Sequence, residues 1–163
     1  MSILTSCIRE DLEYRQLLRT VSENFRINPL PILASGMCDG ASDAFLVSLI
    51  GDTKKLRGGS PALVVCPEEK ECVKLCGVLE RCGLRAAFYM SRDLTFYNIT
   101  ASHEYEHERL SVLSGIIDGR YDAVIATPDA ALSFTIPPAK LLSSRYVIEY
   151  GKTIIDSQKF CEF

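Results

Sequence analysis

The chain has 163 residues, of which 24% are charged and 47% are hydrophobic, and its formal net charge is −3. This balance is typical of a folded globular domain, and it excludes a disordered tail, a collagen-like repeat and a strongly basic nucleic-acid-binding arm. No apolar run reaches the length of about 18 residues that a membrane span needs, and charges appear too early for a secretory signal. We therefore expect a cytoplasmic protein without membrane contact.

The N-terminal part predicts two helices and one strand. Apolar residues at helical spacing predict a helix over residues 6–25. Residues 32–35 are predicted as a short buried strand, and the loop 36–40 leads into a second helix. Ser42 is the expected N-cap of that helix, and Gly51 marks its expected end.

The rest of the chain alternates short apolar strands with helices. The expected strands cover residues 62–66, 84–89, 121–126 and 146–150. The expected helices cover residues 67–82, 103–118 and 129–133, and a further helix begins at 153. Short strands that are apolar on both faces and separated by helices predict a parallel sheet with helices on both faces, which is a three-layer α/β fold.

The pattern changes after the proline pair at 137–138, near Ser143 and Ser144. We expect one α/β lobe over residues 1–142. Residues 143–163 are then expected to begin a second domain that is incomplete in this chain.

The chain has seven cysteines, an odd number, and no two of them form a C-x-x-C pair. Cys66 ends an apolar run, while Cys72 and Cys76 share one face of a predicted helix. This arrangement favours reduced, buried thiols over disulfides or a zinc site.

The loop after the first predicted strand has the layout of a phosphate-binding loop, but it lacks key residues. Counted from Gly36, the required lysine position holds Ser42, and the Ser/Thr position holds Asp43. The lysine that neutralises phosphate charge is missing, and a carboxylate at this point would repel phosphates. Gly36 and Gly40 are therefore expected to form a tight turn or a decayed nucleotide site, although a nucleotide-binding enzyme remains an alternative.

Residues 103–107 read His-Glu-Tyr-Glu-His and match the H-E-x-x-H pattern of zinc hydrolases. In such enzymes two histidines on one helical face bind zinc, and the glutamate activates water. His103 and His107 are the only histidines, so the third ligand cannot be one, and the segment is strongly acidic. We expect an exposed first helical turn without a metal, and keep a zinc hydrolase using His103, Glu104 and His107 as an alternative.

Residues 91–102 place two aromatic residues beside a cation. Phe96 and Tyr97 could stack on bases next to Arg92, or they could pack back onto the sheet. The net charge argues against strong autonomous DNA binding, because that binding needs several well-placed cations. The short basic stretch 54–57 is expected to be a solvated loop.

This part of the chain also resembles a known family. The stretches that carry the resemblance are Arg92–Ile99, Ala101–Ser102, Glu108–Leu113 and Ala123–Leu132. In this order they look like the N-terminal region of the bacterial transcription-repair coupling factor, which is similar to the excision-repair protein UvrB. The resemblance runs from about residue 10 to the end of the chain.

The resemblance implies a degenerate RecA-like lobe, similar to domain 1a of UvrB, that has lost its ATPase motifs. Full-length members use ATP in helicase-like domains to displace stalled RNA polymerase from damaged DNA, and they recruit UvrA for nucleotide excision repair. This chain has no D-E-x-H box, so we expect a non-catalytic module without a cofactor. The resemblance also implies that residues 143–163 begin a UvrA-binding domain. The expected partners are the rest of the coupling factor and, through that domain, UvrA; RNA polymerase and damaged DNA are partners of the full-length protein.

The resemblance also suggests which residues make contacts. In UvrB-like lobes the helix and loop that correspond to Arg92, Phe96, Tyr97 and Arg109 face the DNA or the neighbouring lobe. We hypothesise that Arg109 holds the loop 91–101 in place through an ion pair or a hydrogen bond.

Overall fold

The structure is a computed structural model that describes residues 3–27, 31–38, 40–91, 104–145 and 151. The chain divides into two compact units, Met1–Ser133 and Phe134–Phe163. The predicted domain boundary after residue 142, and the nature of the second domain, stay predictions. The predicted strand 146–150 and the helix from 153 lie outside the described residues.

The first segment forms two helices, α1 (Ile3–Glu10) and α2 (Leu12–Ile27), instead of the single predicted helix. The break falls at Asp11, whose carboxylate Oδ1 accepts a hydrogen bond from the Tyr14 N–H at 3.0 Å. An aspartate that bonds the third N–H of a helix is a favoured N-cap. Asp11 therefore starts a new helix where the apolar spacing alone predicts continuity.

Residues 31–38 form no strand, so the predicted strand over 32–35 is wrong. Leu33 is 89% exposed, which shows that this apolar stretch has no sheet to cover it. The next helix, α3 (Ala41–Asp52), follows Gly40, which has a φ of 85°. Ser42 lies inside α3 and is not its N-cap, because Gly40 takes the N-cap position in a left-handed conformation that glycine adopts without strain.

The three described strands are β1 (Ala62–Val65), β2 (Ala86–Tyr89) and β3 (Ala123–Ala126). All pairings are parallel, in the order β1-β3-β2. Helix α4 (Glu69–Arg81) connects β1 to β2, and α5 (Glu104–Ile117) lies between β2 and β3 in the chain. The predicted mixed α/β character and the parallel pairing are confirmed.

Strand β3 carries the core because its side chains alternate between the two faces of the sheet. Ala123 and Ile125 join a first core, which α3, α4, β1 and β2 complete. Val124 and Ala126 join a second core with Tyr89 of β2 and with residues of α5 and of the short helix α6 (Pro128–Leu132). Strand β1 lacks this second cover, since its Leu63 and Val65 are 63% and 50% exposed.

Asp122 joins the amino ends of the three strands. Its carboxylate accepts a hydrogen bond from the Arg85 N–H at 2.9 Å and lies 2.7 Å from Lys54 Nζ. Its carbonyl accepts from the Ala62 N–H at 2.9 Å, and its own N–H donates to the Arg85 carbonyl at 2.7 Å. The hydrogen bonds from the Arg85 side chain, above all, hold the pKa of the Asp122 carboxyl well below its usual range.

The basic stretch 54–57 is less solvated than predicted. Besides the Lys54 ion pair, Arg57 donates from Nη2 to the Ile50 carbonyl at 3.0 Å and to the Asp122 carbonyl at 3.3 Å. Partial burial lowers the pKa of Arg57. These two cations therefore support the sheet and do not form an open basic patch.

In the second unit, α7 spans Pro138–Ser143, with a proline at its first position, where no backbone N–H is needed. Within the described part of the chain, no helix combines the length and the apolar character that a membrane crossing requires.

Candidate functional site

The carboxyl ends of the three strands lie at one edge of the sheet, because all three run parallel. Cys66 follows β1, Met90 follows β2, and Thr127 follows β3. In α/β proteins with parallel sheets, ligands bind in the crevice at this edge. The edge is therefore where the candidate functional residues are expected to meet.

Arg109 of α5 is the main polar feature at this edge and is only 5% exposed. Its Nη2 donates to the Tyr89 hydroxyl at 2.6 Å and to Ser133 Oγ at 2.8 Å, while its Nη1 donates to the Met90 carbonyl. The guanidinium carbon also lies 4.1 Å from the centroid of the Tyr89 ring. Arg109 thus connects the end of β2 to Ser133, the C-cap residue of α6.

The contact with Met90 is consistent with the hypothesis that Arg109 holds the following loop, because Met90 is the residue just before it. At the same point the Ser91 hydroxyl donates to Glu69 Oε1 at 3.2 Å. Arg92, Phe96 and Tyr97 lie outside the described residues, so their proposed contacts stay predictions. With its guanidinium buried, Arg109 acts here as a positioning residue.

The phosphate-loop-like segment places a carboxylate where a phosphate would need a cation. Gly36 and Gly40 both have a positive φ, of 80° and 85°. Ser42 is exposed and Asp43 is half-buried, and both lie in the first turn of α3. Because a carboxylate in the first turn already interacts with the helix dipole, the site opposes a bound phosphate.

A cavity of about 530 Å³ lies beside this segment, between α1, α2, the loop 31–38 and the start of α3. Its apolar lining includes Ile8, Leu17, Leu33, Met37 and Phe45. Asp11 and Glu13 also line it, whereas none of its described lining residues is a lysine or an arginine. Because these two carboxylates would repel phosphate groups, the cavity is not suited to bind a triphosphate. The sequence does not predict this cavity, since its lining comes from α1, α2, the loop 31–38 and the start of α3.

The H-E-x-x-H motif falls only partly within the structure. His107 is exposed on α5, Glu104 is the first residue of that helix, and His103 lies outside the described residues. Among the described residues, no three His, Cys, Asp or Glu side chains are grouped as a metal site would require. The zinc alternative therefore stays a prediction that metal analysis must test.

The described cysteines are unpaired by disulfides and differ in exposure. Cys72 is buried and Cys66 and Cys76 are half-buried, whereas Cys7, Cys38 and Cys82 are exposed. The expectation of buried thiols therefore holds for Cys72 and, in part, for Cys66 and Cys76. For Cys7, Cys38 and Cys82, which are exposed, the expectation of burial is wrong.

Comparison with known proteins yields no relative: no family model, no curated protein and no solved structure matches the chain. Its class is therefore defined by its fold, a mixed α/β protein with a small parallel sheet. Function has to be inferred from the residues and their geometry.

Proposed function

We propose that the chain is a non-catalytic module of a bacterial transcription-repair coupling factor, built as a degenerate RecA-like lobe of three layers that resembles domain 1a of UvrB. The module works by contacts with other domains and proteins. Its three parallel strands and the helices between them are consistent with such a lobe, whereas residues 31–38 do not form the strand that would precede the phosphate loop. The resemblance of residues 92–132 to the family supplies the specific assignment.

The observation that carries the proposal is the charge at the start of α3. A working phosphate-binding loop presents a lysine and a magnesium-binding hydroxyl at this helix start. Here the same positions hold Ser42 and Asp43, and both lie in the first turn of α3. A loop that keeps Gly36, but has Ala41 at the second glycine position and a carboxylate at the hydroxyl position, fits a nucleotide site that has lost its function.

The second support is the arrangement at the carboxyl edge of the sheet. Arg109 fixes Met90, from which the family-like segment 92–99 continues. A rigid attachment at this point suits a segment that presents Arg92, Phe96 and Tyr97 to a partner. The proposed partners are the rest of the coupling factor and, through the following domain, UvrA, with RNA polymerase and damaged DNA bound by the full-length protein.

Isothermal titration with ATP and Mg²⁺ tests the loss of nucleotide binding. We expect no binding by the natural chain at micromolar ATP. A Ser42→Lys/Asp43→Asn variant removes the carboxylate and supplies a cation, so any gain in affinity should appear there. A Ser42→Gln/Asp43→Asn variant is the matched control without the cation. Micromolar binding by the natural chain would contradict the proposal.

The family assignment needs a separate test, because a relic loop could belong to another protein. Sequencing the gene beyond the codon for Phe163 gives it. A continuation that encodes helicase motifs would support the assignment to the coupling factor. A stop codon at that point would refute the assignment.

A further inference from the structure

The cavity of about 530 Å³ beside the start of α3 has the size and the lining of a small-molecule site. Ligand pockets in proteins measure about 300–1,000 Å³ and are mostly apolar, with a few polar groups that orient the ligand. Leu33 lines this cavity and is 89% exposed. The cavity therefore contains apolar surface that the described part of the chain does not cover.

Two aromatic rings give the cavity a firmly held surface. Tyr14 and Phe45 both line it, and their rings meet edge to face with centroids 5.9 Å apart. Tyr14 is only 5% exposed, and its hydroxyl donates to Asp52 Oδ2 at 2.8 Å. Because that hydroxyl already has its acceptor, these two residues offer a ligand mainly apolar contact.

The charged side chains that line the cavity are anionic. They are Asp11 and Glu13, at the start of α2. The Asp11 carboxylate is held in place, since its Oδ1 accepts from the Tyr14 N–H at 3.0 Å. Among the described residues, none forms an ion pair with Asp11 or Glu13. Both carboxylates are therefore available to a cation that enters the cavity.

The surroundings do not neutralise this negative charge. Arg9 pairs with Asp52, at 2.9 Å between Nη2 and Oδ1, and Arg15 donates from Nε to the Arg9 carbonyl at 3.1 Å. The stretch 27–53, which includes the loop 31–38 and α3, has three aspartates and no lysine or arginine. The amino ends of α2 and α3 each contribute about half a positive charge, which is less than the two carboxylates carry. The cavity therefore favours a cation.

We propose that this cavity binds a small apolar amine, a ligand that carries a protonated nitrogen on a hydrocarbon or aromatic skeleton. The skeleton contacts Leu33, Met37 and Phe45, and the ammonium group pairs with Asp11 or Glu13. An anion with the same skeleton is repelled by both carboxylates. The apolar lining thus provides the contact area, and the carboxylates select the charge of the ligand.

Isothermal titration of the full chain with three matched probes tests this charge preference. Phenylpropylamine is cationic at pH 7, phenylpropanol is neutral and phenylpropanoate is anionic, while all three share one skeleton. We expect the amine to bind about fivefold more tightly than the alcohol, and the anion to bind most weakly. The advantage of the amine should disappear in 1 M salt, where the screening length is about 3 Å. An amine that does not bind, or that binds no more tightly than the other two probes, would overturn the proposal.

Replacement of Glu13 by glutamine tests the role of the carboxylate. Glu13 is exposed, so the fold should tolerate Glu13→Gln. We expect this variant to bind phenylpropylamine about threefold more weakly and to bind phenylpropanol unchanged. Glu23→Gln is the matched control, because Glu23 is exposed on the same helix, about 15 Å further along its axis. Equal losses in the two variants would contradict recognition of the ammonium group in the cavity.

The thiol of Cys7 reports where the amine binds, since Cys7 is exposed and lines the cavity. The full chain is alkylated with iodoacetamide, with and without saturating phenylpropylamine, and the modified peptides are quantified by mass spectrometry. We expect the amine to slow alkylation of Cys7 and to leave Cys82 unchanged, because Cys82 is exposed but does not line the cavity. An unchanged rate at Cys7 would place the bound amine elsewhere and refute the proposed site.

Discussion

Replacement of Asp122 by alanine tests how the sheet is held together. The Asp122 carboxylate is 5% exposed and accepts a hydrogen bond from the Arg85 N–H at 2.9 Å, directly ahead of β2. It also forms an ion pair with Lys54, a side chain that is 50% exposed. Alanine would leave the Arg85 N–H without its side-chain acceptor. It would also remove the carboxylate that lies between the charged side chains of Lys54 and Arg85.

The expected loss of stability follows from these contacts. A buried N–H left without its acceptor costs about 1–3 kcal/mol. The ion pair with half-exposed Lys54 adds less than about 1 kcal/mol, because solvent screens it. We therefore expect Asp122→Ala to lower the free energy of unfolding by about 2–3 kcal/mol. In a chain of this size that corresponds to a fall in Tm of roughly 5–10 °C.

Thermal and urea unfolding followed by circular dichroism measure this effect. Asp118→Ala is the matched control, since Asp118 lies in the same connection and its ion pair with Arg120 is solvent-exposed. We expect it to cost less than about 1 kcal/mol. Equal Tm values for the two variants would refute the argument that Asp122 holds the strand ends together.

The pH dependence gives a second readout for Asp122. Its pKa is lower in the folded chain than the ordinary value of about 3.9. The carboxylate therefore contributes stability above pH 4, and this contribution is lost as the pH falls towards the folded-state pKa. The stability gap between the natural chain and Asp122→Asn should be constant from about pH 7 to 5 and should narrow below pH 4. If the difference in stability between the two proteins is the same at pH 3 as at pH 7, the charge of the Asp122 carboxylate does not contribute to stability.

Arg109→Ala should lower the free energy of unfolding by about 3 kcal/mol and speed hydrogen exchange around Met90, because three hydrogen bonds from a buried cation are lost; unchanged exchange there would contradict its positioning role. Gly115→Ala should destabilise the fold by about 1–3 kcal/mol, because the new methyl group would overlap the Tyr121 ring. A Tm equal to that of Ser114→Ala would disprove that close approach. The purified chain should carry no stoichiometric zinc; zinc that disappears in His103→Ala would contradict this expectation and favour the zinc hydrolase alternative. Fluorescence anisotropy should give only weak DNA binding at physiological salt, and a submicromolar Kd would contradict the argument from net charge.

The strands of the sheet were predictable because their sequences carry a strong local signal. Residues 62–65, 86–89 and 123–126 are short, apolar and bounded by turns, and each is a strand in the structure. The stretch 32–35 carries a similar signal but forms no strand. Local composition therefore identifies segments that can pair, while the presence of a neighbouring strand decides whether they do.

The contacts of the site were harder to predict, since they join distant segments. Asp122 forms ion pairs with Lys54 and Arg85, which are distant from it in the sequence. No periodicity of the sequence relates these three positions. Arg109 was singled out through the family resemblance, but its contact with the Tyr89 ring depends on how α5 packs on β2. The break between α1 and α2 at Asp11 was not predicted either, although the sequence carries a signal for it. Aspartate before a helical stretch is a common N-cap residue.

The strand order also sets when the sheet can assemble during synthesis. Strand β3 lies between β1 and β2 and pairs with both, yet it is the last of the three to leave the ribosome. Until Ala126 has emerged, β1 and β2 lack their common neighbour. Their backbone N–H and C=O groups therefore stay unpaired, and their apolar side chains stay exposed. At typical rates of about 5–20 residues per second this interval lasts several seconds, during which chaperones would protect the nascent chain. Shortened chains that end before β3 should therefore aggregate when expressed.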